Sequence, residues 1–184
     1  MQESPHAAKK SPDPAVIISP YQWVIPAVAK HNATHVISIL GNTDRLPWPL
    51  LDDPKVLRLA FDDTSLSTKY AVGPSSHQIR SLIDFARAWG GRSSLVIHCR
   101  AGASRSPSAA LIVAAAIGRR DLFSRILEAK TYFRPNRRML ELAGRILSDN
   151  ELRMLKPMDH AGKTLSKWGV ATIDLYTSGQ SRRR

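Results

Sequence analysis

Four short aliphatic runs, separated by stretches with helical spacing, constrain the fold of this chain more than any other feature. They are Ala15-Val16-Ile17-Ile18, His35-Val36-Ile37-Ser38-Ile39-Leu40-Gly41, Val56-Leu57-Arg58-Leu59-Ala60-Phe61 and Ser94-Leu95-Val96-Ile97-His98. Such runs are rich in β-branched residues and apolar at successive positions, as strands covered on both faces are. Helices are expected between and after them. Ser19-Pro20 opens one that runs to about His31. Residues 42–54 carry turn residues and read as loop. Pro74 starts a second helix, with Ile79, Leu82, Ile83, Phe85, Ala86 and Trp89 near a 3.6-residue period and Gly90-Gly91 as its stop. Ser106-Pro107 introduces a small-residue helix from Ser108 to Ile117, closed by Gly118. Two more follow, about Asp121 to Tyr132 and Arg137 to Asn150. Strands alternating with helices predict an α/β fold, a central mostly parallel sheet flanked by helices on both faces. Ligands in such sheets bind beyond the carboxyl ends of central strands, which directs attention to the loop after Ile97.

The chain has 184 residues and is 43% hydrophobic, enough for one domain with tails. Met1 to Pro14 is polar and proline-rich and lacks the apolar run of about 7 to 15 residues that a secretory signal needs, so it reads as a flexible tail. The expected domain is 15–156, followed by a basic extension over 157–184 in which Trp168 to Tyr176 is moderately apolar. No run approaches the roughly 18 to 20 apolar residues of a membrane helix. There is one cysteine, Cys99, so an internal disulfide and a multi-cysteine metal site are both excluded.

That cysteine stands at the start of Cys99-Arg100-Ala101-Gly102-Ala103-Ser104-Arg105-Ser106, between a strand and a helix start. A tight loop in this setting is an anion cradle. Its N–H groups converge, and the helix N-terminus adds unsatisfied donors and the positive end of a dipole. Gly102 permits backbone geometry that a side chain would hinder. Arg105, six residues after Cys99, can fold back and grip two phosphate oxygens with its planar fork. The same donors stabilise a thiolate, which facing a bound phosphate is a nucleophile placed for in-line attack. Ser106 can hydrogen-bond that sulfur, and His98 can tie the loop from the strand side. Arg100 and Ser104 either tune the pocket or face solvent.

The run His98-Cys99-X5-Arg105-Ser106 resembles the signature loop of the cysteine-based protein tyrosine phosphatases. The strand order, the Thr34-His35-Val36-Ile37-Ser38 strand and the Arg134-Pro135-Asn136 element are similar to the compact dual-specificity branch, including its bacterial members, over roughly residues 15–150. The resemblance implies a phosphatase acting on phosphotyrosine, with phosphoserine and phosphothreonine as further candidates, in protein or peptide substrates through a cysteinyl-phosphate intermediate. It implies no metal and no cofactor, since Arg105 and the amides of residues 100–105 supply the charge stabilisation. It also asks for an aspartic acid on a separate loop, thirty-odd positions before the cysteine, as general acid and base. Asp62 and Asp63 stand 37 and 36 positions before Cys99. Alignment of Leu57 to Thr64 with the family favours Asp63, leaving Asp62 as a cap or loop-structuring residue.

Other readings compete with this one. A rhodanese-like sulfurtransferase also uses a cysteine loop, but with its arginine five residues on rather than six. A non-catalytic phosphoprotein-binding module normally lacks the cysteine, the arginine or the acid, and none is missing here. A non-protein phosphate ester, such as a phosphoinositide or an RNA 5′ end, stays open as substrate. Asp44, Asp52 and Asp53 read as turn and cap residues. The net charge of +12 suits a phosphorylated partner, and no nucleic-acid-binding module is recognisable. A lone reactive thiol is best suited to a reducing cytoplasm.

Overall fold

In the computed structural model, residues 14–41, 44, 55–129, 134–155 and 171–174 are described. The four aliphatic runs form strands: β1 (Ala15–Pro20), β2 (His35–Leu40), β3 (Lys55–Ala60) and β4 (Leu95–Cys99). They pair in parallel in the order β3-β2-β4-β1, and a fifth strand, β5 (Ala171–Asp174), adds antiparallel to the free edge of β1.

The two-residue period of the strands divides the core. Ile17 of β1, Val36 of β2 and Val96 of β4 face one side, where Val24 and Ala27 of helix α1 (Val24–His31) cover them. Val16, Ile18, Ile37, Ile39, Leu59, Leu95, Ile97 and Cys99 face the other, larger core. Helices α2 (Ser76–Trp89), α3 (Arg105–Ala116), α4 (Arg120–Glu128), α5 (Arg137–Gly144) and α6 (Asp149–Leu155) supply that side. All twelve residues of α3 are buried. It packs on β1 and β4 and is surrounded by α2, α4, α5 and α6. Its run of alanines and serines lets four helices approach one, which larger side chains would prevent.

Some boundaries differ from the sequence reading. Pro20 ends β1, opposite Cys99, instead of opening a helix; a 3-10 turn (Tyr21–Trp23) intervenes before α1. The expected Arg137–Asn150 helix is two helices. Ser148 offers both its backbone N–H and its hydroxyl to the Glu151 carboxylate (2.7 Å each), and this local capture starts α6 afresh. The helix expected to reach Tyr132 ends at Glu128. Within the extension, residues 171–174 join the sheet, and Ile173 is buried in the larger core. The tail expected over Met1–Pro14, apart from Pro14, lies outside the described residues, as do most of the 42–54 loop and residues 156–170 and 175–184 of the extension. No helix among the described residues is long and apolar enough to cross a membrane.

Candidate active site

Strand β4 ends on Cys99 and α3 begins on Arg105, so the loop between them lies beyond the carboxyl edge of a central strand. Its shape is set from the β1 side. The Tyr21 N–H donates to the Arg100 carbonyl (3.1 Å). Gly102 has φ +72°, and a Cβ there would fall 2.7 Å from the Pro20 nitrogen. Glycine is therefore required twice over, by the positive φ and by the close approach of the β1 end.

The Cys99 sulfur is 2% exposed as a residue and already has two donors in reach. The Gly102 N–H points at Sγ from 3.2 Å, and the Ser106 Oγ lies 3.3 Å away. Both groups are able to donate to the sulfur. Arg105 is 6% exposed, and its Nη1 donates to the Phe61 carbonyl at 2.7 Å, just past the end of β3. The guanidinium is thus held in place against the end of β3. Its Nε–H is buried with no partner among the described residues, on a group whose fork suits a phosphate.

His98 is fully buried beside the Tyr21 ring. Burial holds its pKa down to about 4; the Arg105 charge works in the same direction, and the neighbouring Cys99 backbone opposes both. Among the described residues neither ring nitrogen has a partner in hydrogen-bond geometry. The tie expected from this side chain to the loop is therefore no more than proximity to the Cys99 backbone.

The two aspartates part company. Asp62 organises its own loop: its Oδ2 accepts from the Val72 N–H (2.9 Å), and its backbone N–H donates to the Val72 carbonyl (2.7 Å). Asp63 instead reaches the cradle, where its Oδ1 accepts from Ser104 Oγ (2.7 Å) and from Asn136 Nδ2 (2.9 Å). Of the remaining loop residues, Arg100 points outward, 74% exposed, and pairs with Asp44 at 2.5 Å. Ala101 is exposed. Ala103 is buried, and its carbonyl accepts from the Arg134 N–H (2.7 Å). The sequence reading gave no site role to Asn136 or Ser108 and took Asp44 for a turn or cap residue; Asp44 does accept from the Gly41 N–H (3.1 Å). Asn136 stands at an N-cap position, a signal legible as helix punctuation but not as a contact with residue 63.

The geometry provides a buried thiol with two possible donors in reach, a buried guanidinium bonded to the Phe61 carbonyl, and a carboxyl group bonded to the loop through Ser104. No protein-family model and no curated protein sequence matches the chain. Solved structures do. The crystal structure of DUSP15 superposes with a TM-score of 0.55 at 21% identity, covering 82% of this chain and 94% of that one. PTPMT1 in complex with PI(5)P gives 0.52 at 16% identity over 80% and 94%. The human tyrosine phosphatase-like serine/threonine/tyrosine-interacting protein gives 0.50 at 17% over 78% and 90%. With its mostly parallel sheet, its flanking helices and a cysteine loop at the end of β4, the chain has the fold of the cysteine-based protein tyrosine phosphatase superfamily.

Proposed function

We propose that this protein is a metal-independent phosphatase that hydrolyses phosphotyrosine, and phosphoserine or phosphothreonine where they can reach the loop, in protein substrates. The observation that carries this reading is the pair of donors in reach of Cys99 Sγ, in a loop that ends on an arginine held by the Phe61 carbonyl. The Cys99 thiolate attacks phosphorus and forms an S–P bond. The P–O bond to the substrate breaks, and the leaving oxygen takes a proton from Asp63. Arg105 and the amides of residues 100–105 hold the phosphoryl oxygens throughout. Water then attacks the cysteinyl-phosphate and gives its proton to Asp63. The S–P bond breaks to release inorganic phosphate, with the Ser106 hydroxyl donating to the departing sulfur. The Asp62 carboxylate is occupied by the Val72 amide, which supports Asp63 as the acid.

Purified protein is expected to hydrolyse an aryl phosphate without added metal, and vanadate should inhibit it. Cys99→Ser should abolish turnover, and Asp63→Ala should slow it about 10²- to 10⁴-fold, the range for loss of a general acid. Wild type no faster than Cys99→Ser would end the enzyme reading in favour of a binding module. Thiosulfate and cyanide as substrates test the sulfurtransferase reading. A second substrate class is supported by one relative in fold, PTPMT1, whose structure holds PI(5)P. Parallel assays on phosphopeptides and on phosphoinositide vesicles separate the two classes.

A further inference from the structure

Asn136 lies 73 residues from Asp63 in sequence, yet it holds that carboxyl group from beneath. It is 6% exposed and fixed at every polar atom that the helix start offers. Its backbone N–H donates to Ser108 Oγ (2.6 Å), and that hydroxyl donates to the Ser104 carbonyl (2.9 Å). Its Oδ1 accepts the Met139 N–H (3.1 Å) as the N-cap of α5. The cap decides which way the amide faces. A flipped side chain would set its NH₂ against the Met139 N–H, donor to donor, so Nδ2 must point at Asp63. Both Nδ2 and the Ser104 hydroxyl donate to the same oxygen, Oδ1. The second oxygen, Oδ2, has no partner among the described residues and is the one left to carry a proton.

From this geometry we infer that Asn136 is a positioning residue for the acid step: it pins Oδ1 of Asp63 so that the proton rides on Oδ2. The inference rests on the phosphatase reading. Asp63 is itself exposed, on a loop outside the sheet, and two donors converging on one oxygen remove the rotation that exposure would otherwise allow. Ser104 belongs to the cradle, so the acid is referenced to the loop that holds the phosphate. Asn136 adds a second, buried reference through α3 and α5.

The test compares aryl phosphates of graded leaving-group acidity. Protonation matters for a poor leaving group and little for an activated one, so misplacing the acid steepens the dependence of kcat/KM on leaving-group acidity. Asn136→Ser keeps a helix-capping oxygen but cannot reach Asp63. Asn136→Asp keeps the length and the cap but sets an acceptor against Oδ1. Both variants should lose about 10- to 100-fold on phenyl phosphate and much less on a nitrophenyl ester, an effect of the size that misplacing a catalytic group by about 1 Å produces. Combined with Asp63→Ala, neither should add a further loss on phenyl phosphate. An equal loss on all esters, or multiplicative loss in the double variants, would overturn the inference and leave Asn136 a helix cap. Wild-type turnover of the activated ester is read first. Its absence overturns the phosphatase reading and this inference together, whereas its presence with unsteepened variants overturns the inference alone.

Discussion

A buried imidazole whose two nitrogens lack partners among the described residues resists taking a proton. The His98 pKa of about 4, against an ordinary value of 6.5, follows first from that burial. Its effect on stability has a definite sign. Between pH 6.5 and 4 the unfolded chain binds a proton at His98 that the folded chain refuses. The stabilisation is therefore complete above pH 6.5 and is lost as pH falls toward 4, about 3 kcal/mol across the window. His98→Leu removes both the titration and the unpartnered nitrogens. Urea melts at pH 7 and pH 4.5 should show a steeper loss for wild type than for the variant, and parallel losses would refute this account of His98. The same residue scale shows what sequence could reveal. Cys99, Arg105 and Ser106 sit within eight consecutive residues, so the geometry of one loop brings them together. Asp63, Ser104 and Asn136 meet only because three separate segments pack at one corner. Alignment singled out Asp63, but nothing in the sequence named its partners.

At the scale of elements, β1, β2 and β4 were legible because burial on both faces leaves them few polar positions, whereas β3, at the sheet edge, is exposed at Lys55 and Arg58 and showed itself by its aliphatic residues. The split between α5 and α6 was harder to read, since apolar spacing runs on through Ile146 and Leu147. The break was written in Ser148 and Glu151, a start signal that competes with continuation. Glu151 also accepts from Arg87 Nη2 (3.0 Å), which fastens α6 to α2. Glu151→Ala should remove the cap and this tie together. The expected loss is about 1 to 2 kcal/mol, or some 2 to 8 °C in Tm for a chain of this size. A calorimetric scan reads it directly, and an unchanged Tm would mean that α6 is held by Leu155 and its apolar neighbours alone.

For the molecule as a whole, the least legible feature was the fate of the extension. Residues Ala171-Thr172-Ile173-Asp174 have no periodicity that distinguishes an edge strand from a loop. Their place is dictated by an open edge on β1 and by a site in the larger core for Ile173. Ile173→Asp should expel β5, since a carboxylate has no partner in that core. Amide hydrogen exchange would then rise along Ala15 to Ile18 while β2 and β3 keep their protection. Protection of β1 unchanged by this substitution would show that β4 alone secures it.

The pairing of Ala15 with Asp174 joins segments at opposite ends of the described chain. Closing so long a loop is entropically the most demanding contact in the sheet, and contacts of that kind form late in folding. Until then β1 is held to the sheet by β4 alone, yet it is the end of β1, at Pro20, that walls the Gly102 turn. A chain still folding would thus possess its cysteine loop before it possesses the outer support of that wall. Recovery of the proposed phosphatase activity during refolding is accordingly expected to lag behind the burial of the central strands.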